Sequence, residues 1–513
     1  MLSTSPKRAK RPLVLALDVG TSSSRAAIYD AFGRMVESTE SRIAYRMHRT
    51  RGGGVEIEAD ELFNVACRNI DETIGRADNL AKEIRVVAPC TFWHSLVGVD
   101  RSAKALTPVY SWNDTRSSSE ARQLADKLGI EWIHSRTGCM PHASYYPARL
   151  LWLRRAKPEL YQKVARWMSF GEYFYLKIFG RALASVSMAS GTGLFNPNAN
   201  DWDAEMLQRV GIERRNLSPL AADDEALTGP KRQYARRWPQ LASAAWMPAI
   251  GDGAANQIGS GCVTRNRVAL MIGTSGAMRV CFEAAQVTVP RGLWCYRANR
   301  RYALLGGALS NGGDVFEWCQ RALRLEPPKS TARNNKAVAQ PDADVLERQL
   351  RAMQPDSHGL TVLPFFSGER STGWADYARA AIVGISLSTE PLDILRAMME
   401  SVAYRFAAIY DLLREEISPS SRLIASGGAL AHSTVWTQIM ADCIGAMVIR
   451  SAAQEASERG AALLALHALG HIKKLDEAPA AHGELFEPDA RRHERYKSGR
   501  TRQQILYEQL VAR

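Results

Sequence analysis

The chain has 513 residues, 66 basic against 53 acidic for a formal net charge of +13, and 46% apolar residues beside 23% charged ones exclude global disorder. That length predicts two or more domains with sizeable cores, and no uncharged apolar stretch approaches the roughly 18 residues of a membrane span, which excludes an integral helical membrane protein. Eight cysteines, scattered along the chain without a CxxC pair, signal neither a zinc site nor a disulfide framework and fit a reducing cytoplasm.

The start, MLSTSPKRAKR, is basic but lacks the apolar core of a signal peptide, so residues 1–11 read as a solvated, disordered tail. Further basic clusters lie near Lys231–Arg237 and Arg491–Arg502. Such charge attracts nucleic acid or any anionic small molecule. No nucleic-acid motif accompanies it, and the expected partner is a small anionic molecule, with neither nucleic acid nor membrane. Leu13 to Leu17 is an apolar run ending at Asp18, followed by the turn-like GTSSS and by RAAIYD, which predicts a strand, a tight turn and a second strand before a turn at Gly33. Near residue 270 the pattern returns as VALMIGTSGAMRVCF. Aligning the GTS triplets sets Asp18 against Met271 and predicts two related α/β halves, only the first with an acid at this turn. Between them IRVVAPCTF reads as a strand, and Glu120–Leu128 and Pro147–Arg155 read as helices. Glu326–Asp344, rich in Pro, Asn and Lys, reads as a surface linker, Leu392–Glu415 as a helix, and SRLIASGGAL as a strand running into a glycine turn. Leu506, Tyr507, Leu510 and Val511 predict a short terminal helix.

Several constellations could carry chemistry. In Asp18-Val-Gly-Thr-Ser-Ser-Ser-Arg25, Gly20 lets the backbone approach a phosphate, hydroxyls and amides can donate to its oxygens, and Arg25 adds a charged donor. Asp18 offers magnesium the oxygen ligand it prefers; a polar hairpin tip is the other reading. Asp252 lies between Gly251 and Gly253, ahead of AANQIGSG, where it could accept a proton from a substrate hydroxyl or simply cap the next helix. Gly273 to Gly276 form a second GTSG turn, and Ser426-Gly-Gly-Ala429 precedes a helix beginning near Ser433. There is no GxxxxGK[ST], HExxH or GxSxG motif. Trp93-His94-Ser95, Trp112-Asn-Asp-Thr-Arg116 and His142 could line a polyol pocket, or serve as structural hydrogen-bonders.

In this order and spacing the motifs resemble the FGGY family of carbohydrate kinases, from about Leu13 to Tyr507. DVGTSSSR is similar to the family's first phosphate motif, GDGAANQIGSG to its catalytic-aspartate motif, IGTSG to its second phosphate motif, and ASGGALAHSTVWTQIMADCIG to its adenosine motif. The resemblance implies an α/β fold of two duplicated actin-like (ribonuclease-H-like) ATPase domains, 12–257 and 258–513, around a central cleft that closes on ATP, Mg2+ and a sugar. By that resemblance Asp252 is the catalytic base and Asp18 the metal ligand. Thr21, Ser22, Arg25, Gly273 and Thr274 hold the phosphates, while Gly427, Gly428, Ala429, Ser433 and Gln438 face adenosine. Trp93, His94, Asn113, Asp114 and His142 contact the sugar. HSLVGVD, TGCMPHASYYPARLLWL and GGALSNGGDVFEW resemble segments of the gluconate kinases, which makes D-gluconate the expected substrate. Trp93 stands where many of those kinases have Met, and Asn113-Asp114 resembles the WNDxR of xylulose kinases, so a ketose or polyol kinase is the other reading. A non-catalytic nucleotide- or sugar-binding regulator is more distant, and a homodimer is left open.

Overall fold

Leu13–Val19 is buried along its whole length, as a near-continuous apolar run must be when both faces of its sheet are covered. The computed structural model describes residues 2–325, 343–452, 455–478 and 482–511; the linker expected at Glu326–Asp344 falls, up to 342, outside the described residues. Contacts divide the chain into two units. The first comprises Met1–Thr264, Cys281–Leu305 and Ala453–Ala481; the second comprises Arg265–Val280, Gly306–Ala452 and His482–Arg513.

In the first unit Leu13–Val19 pairs antiparallel with Ser23–Tyr29, Asp18 opposite Arg25, and parallel with Ile84–Thr91, Asp18 beside Cys90. Ile250–Gly251 adds in parallel to the other edge of Ile84–Thr91, with Gly251 beside Thr91. Parallel pairing therefore sets Val19, Thr91 and Gly251, the C-terminal residues of their strands, in one row. The chain leaves Gly251 straight into the helix Asp252–Gly259. The carboxyl ends of strands are where α/β sheets bind ligands. Helix Ala59–Ala77 buries Leu62, Phe63, Ala66 and Ile70 in a core shared with Phe174, Trp238 and Trp246. Helix Ala456–Ala468 packs against Leu13–Val19, Ile84–Thr91 and helix Asp252–Gly259. A second core around Tyr146, Leu150, Trp152 and Trp167 supports the loops between residues 94 and 150.

The second unit repeats the plan. Arg267–Ile272 pairs antiparallel with Gly276–Glu283 and parallel with Arg422–Ser426, Met271 beside Ser426, and Val448–Ser451 follows in parallel. The α/β fold and the duplicated hairpin expected from the GTS triplets are both present. Two expectations need correction. Residues 2–11 are not a disordered tail: Ser3–Thr4 pairs in parallel with Met35–Val36, Ala9 is buried, and Arg11 pairs with Glu83. So short and polar a pairing leaves no apolar periodicity in the sequence. The terminal helix runs from Ala490 to Leu510, 21 residues, begun by Asp489 accepting from the amides of Arg491 and Arg492. Its buried positions include Gly499 and Gln503 as well as Tyr496 and Tyr507, so the early stripe is not apolar.

Helix Pro391–Leu413 carries a buried charge web. Glu400 accepts from Arg396 Nε at 2.6 Å, His358 Nε2 at 3.1 Å and the Tyr404 hydroxyl at 3.2 Å. His358 Nδ1 accepts the Leu360 amide at 3.0 Å, so the ring proton faces Glu400. Burial alone would raise the Glu400 pKa, but His358 and Arg396 hold it below the usual carboxylate range. A carboxylate depressed by folding contributes stability above its unfolded pKa and loses it as pH falls through the folded value. Glu400→Gln leaves Arg396 buried without its counter-charge and should cost about 3–5 kcal/mol in urea unfolding at pH 7. The gap from wild type should narrow below about pH 4; a pH-independent gap would contradict this account of the web.

Candidate active site

The row of strand ends in the first unit carries two carboxylates. Asp18 is buried at 6% exposure, and the Cys90 thiol donates to its Oδ1 at 3.4 Å. Burial and then the charge of Asp252 push its pKa up to about 7, with Arg25 opposing them. Asp252 opens its helix, half-buried, with Oδ1 accepting the amides of Trp93 at 3.2 Å and Gly253 at 2.8 Å. Those two bonds hold one oxygen in place at a helix N-terminus, where the dipole favours negative charge. Arg25 pairs with Glu455 at 2.7 Å, and its Nε is buried without a hydrogen-bond partner among the described residues. Thr21 is half-buried and Ser22 exposed at the hairpin turn, and the Tyr45 hydroxyl donates to the Gly20 carbonyl. Glu458, 2% exposed, has its pKa pushed well up by burial and then by Asp18. Tyr45, Cys90, Glu455 and Glu458 were not singled out from the sequence.

Of the residues expected at the sugar, Trp93 touches Asp252 through its amide. The Trp93 indole donates to the Ser187 carbonyl at 2.9 Å, and its ring lies so close under Gly251 that an added Cβ there would stand 2.0 Å from it. Trp93 therefore packs directly against the turn that leads into Asp252. The His94 ring lies 5.1 Å from Tyr145 and 5.6 Å from Tyr296, whose hydroxyls share a 2.6 Å hydrogen bond. His142 is held by Ser144, which donates to the Trp112 carbonyl at 2.7 Å. Asn113 Oδ1 is buried without a hydrogen-bond partner among the described residues, an unsatisfied acceptor. Asp114 is occupied differently: it accepts the Val55 amide at 3.1 Å and pairs with Arg116. Those bonds make Asp114 a brace for its loop.

Arg149, also missed, ties these loops together. Fully buried, it donates to the carbonyls of His94, Ser111 and Ala143, and burial lowers its pKa to about 10. An arginine on a Trp- and Leu-rich helix reads as a surface residue in sequence. Arg149→Met would leave those carbonyls unsatisfied, each at about 1–3 kcal/mol. A lowered melting temperature and a raised KM for the sugar, larger than any change in KM for nucleotide, are the expected results.

In the second unit the GTSG turn is knitted to the start of helix Gly313–Ala322: Gly313 N donates to Gly273 O at 2.7 Å and Gly312 N to Thr274 O at 3.0 Å. A Cβ on Gly313 would meet Gly273 O at 2.6 Å and Ala429 at 3.4 Å, and one on Gly427 would meet Ile272 O at 2.3 Å. Gly427 also has φ +90°, which only glycine adopts without strain, and space beyond Gly428 is open. Gly273, Thr274, Gly427, Gly428 and Ala429 are thus gathered into one glycine-lined cradle of the kind a phosphate or nucleotide requires. Ser433 and Gln438 are engaged otherwise. Ser433 caps helix Thr434–Ile444, accepting the Trp436 amide at 3.0 Å and donating to Glu347; Gln438 donates to Asp442 and to the Glu487 carbonyl, each at 2.8 Å.

Asp18 offers magnesium the hard oxygen ligand it prefers, and the repulsion it feels from the charge of Asp252 is what a divalent cation relieves. The eight cysteines are all buried with free thiols. Among the described residues no helix is long and apolar enough to cross a membrane.

Comparison with known proteins agrees over nearly the whole chain. The N-terminal domain model of the FGGY family of carbohydrate kinases matches residues 13–259 and the C-terminal model residues 268–469. A gluconokinase of Bacillus subtilis is 27% identical over 466 residues, covering 90% of this chain and 89% of its own. A glycerol kinase of Polaromonas is 29% identical over 492 residues, covering 90% and 92%. The crystal structure of ligand-bound xylulose kinase from Lactobacillus acidophilus superposes with a TM-score of 0.87 at 24% identity, covering 98% of each chain. These relatives carry different substrate names on one architecture, and with both domain models matched the chain belongs to the FGGY family of carbohydrate kinases.

Proposed function

We propose that the chain transfers the γ-phosphoryl group of ATP to a hydroxyl of a sugar acid, D-gluconate to 6-phosphogluconate. The observation that carries the reading is Asp252, oriented by the amides of Trp93 and Gly253 beside a second carboxylate. Asp252 accepts the proton as the substrate oxygen bonds to phosphorus and the bond to ADP breaks. Asp18 holds Mg2+, which when bound neutralises charge on the phosphate oxygens. The glycine cradle of the second unit takes the phosphates and adenosine, its backbone approaching them without side chains between. The His94, Tyr145 and His142 group orients the sugar. The gluconokinase relative and the net charge of +13 favour an anionic acceptor.

A ketose or polyol reading draws on the Asn113 acceptor and the WND motif around it. Magnesium-dependent ADP release across gluconate, xylulose, ribulose, fuculose, erythritol and glycerol separates the two. Gluconate should give the highest kcat/KM. A higher value for xylulose or glycerol would overturn gluconate, and silence across the panel would favour a binding regulator.

A further inference from the structure

We infer that Ser187, assisted by Ser185, is a positioning residue for Asp252: the two hydroxyls stand in for a neighbouring strand along the segment that delivers the base. The inference rests on the reading of Asp252 as the proton acceptor. Strand Ile250–Gly251 pairs with Ile84–Thr91 on one edge, and among the described residues no strand pairs with its other edge. Buried backbone groups there still need partners. Ser185 Oγ donates to the Ala249 carbonyl at 2.6 Å, and Ser187 Oγ accepts the Gly251 amide at 3.1 Å. The next residue after Gly251 is Asp252.

Ser187 acts a second time through its backbone. Its carbonyl accepts the Trp93 indole N–H at 2.9 Å, and the amide of Trp93 donates to Asp252 Oδ1 at 3.2 Å. The chain neighbour of Asp252 and one of its two amide donors are thus fastened to one residue. Ser187 is fully buried, inside the short helix Val186–Ser190, whose N-cap Ser185 accepts the Met188 amide at 3.1 Å. Alanine would suit that helix equally well but would leave the Gly251 amide buried and unpaired, which is costly. The hydroxyl, rather than the packing, is what this position requires.

The test is steady-state kinetics of the full chain with MgATP and whichever acceptor of the panel above gives the highest kcat/KM. Wild type is compared with Ser187→Ala, Ser187→Thr, Ser185→Ala, Thr192→Val and Asp252→Asn. Ser187→Ala should lower kcat roughly 10-fold, the effect of a displacement well under the 1 Å that costs roughly 10²-fold, with KM for ATP and acceptor within a few-fold. Ser185→Ala should move kcat in the same direction, and Ser187→Thr, which keeps the acceptor oxygen, should restore it. Thr192→Val is the stability control: its hydroxyl donates to the Ala189 carbonyl at 2.6 Å and accepts the Leu194 amide at 3.1 Å, away from Ile250–Gly251. It should lower the melting temperature and spare kcat. Wild-type kcat in Ser187→Ala beside a loss in Asp252→Asn overturns the role of Ser187 alone. Wild-type kcat in both removes Asp252 as the base, and silence of the wild type across the panel removes the reaction and this inference with it. Equal losses of kcat in Ser187→Ala and Thr192→Val would mark Ser187 as merely structural and overturn the inference.

Discussion

Asp252→Asn should lower kcat by about 10²–10⁴-fold while sugar binding is kept. Asparagine preserves the shape and still accepts the amides of Trp93 and Gly253 through its oxygen, so the helix start is undisturbed. What disappears is the oxygen able to take the hydroxyl proton as the new O–P bond forms. The loss should therefore fall on kcat rather than on KM, the pattern of a group that acts in the transition state. Sugar affinity measured by calorimetry should stay within a few-fold of wild type. Near-wild-type turnover would remove Asp252 from the chemistry.

The second large effect is expected at a residue with no side chain to take part in the chemistry, at Gly460→Ala. A Cβ there would stand 1.7 Å from the Ala255 carbonyl, and one on Gly259 would stand 1.7 Å from the Ala456 carbonyl. Helices Asp252–Gly259 and Ala456–Ala468 thus touch backbone to backbone, and no rotamer change can relieve the clash. Alanine gains up to about 1 kcal/mol of helix propensity over glycine, against about 1–3 kcal/mol or more for overpacking; the clash wins. The helices must part, and Asp252 moves with its own. A displacement of about 1 Å at a reacting group costs roughly 10²-fold in rate. Gly460→Ala should therefore lose both melting temperature and kcat. Gly75, on helix Ala59–Ala77 with nothing within 4 Å of an added Cβ, is the control: Gly75→Ala should be neutral or stabilising. Equal behaviour of the two variants would contradict the close crossing.

What the sequence revealed was local. The helix expected at Leu392–Glu415 is found at Pro391–Leu413, and the one expected at Glu120–Leu128 at Ser118–Leu128. Both have apolar residues at helical spacing over several turns. The GTS turns, the glycines of Ser426–Ala429 and the aspartate between glycines were legible because turn chemistry is written in adjacent residues. Glu458 and Glu455 were not, since only the parallel strands and the crossing at Gly460 bring them to Asp18 from more than 400 positions away. Arg149 was hidden for the same reason: its three carbonyl partners come from separate loops. Asp114, expected at the sugar, is also tied to Arg116 and the Val55 amide, and the Val55 partner lies too far along the chain to be read from its motif.

Phosphorus NMR of the full chain with ATP, Mg2+ and gluconate tests the central claim most directly. A phosphomonoester resonance on the sugar acid should grow in step with ADP and be nearly absent with Asp252→Asn. Release of inorganic phosphate with no phosphomonoester, or an equal phosphomonoester yield from the variant, would contradict transfer to a sugar hydroxyl through Asp252.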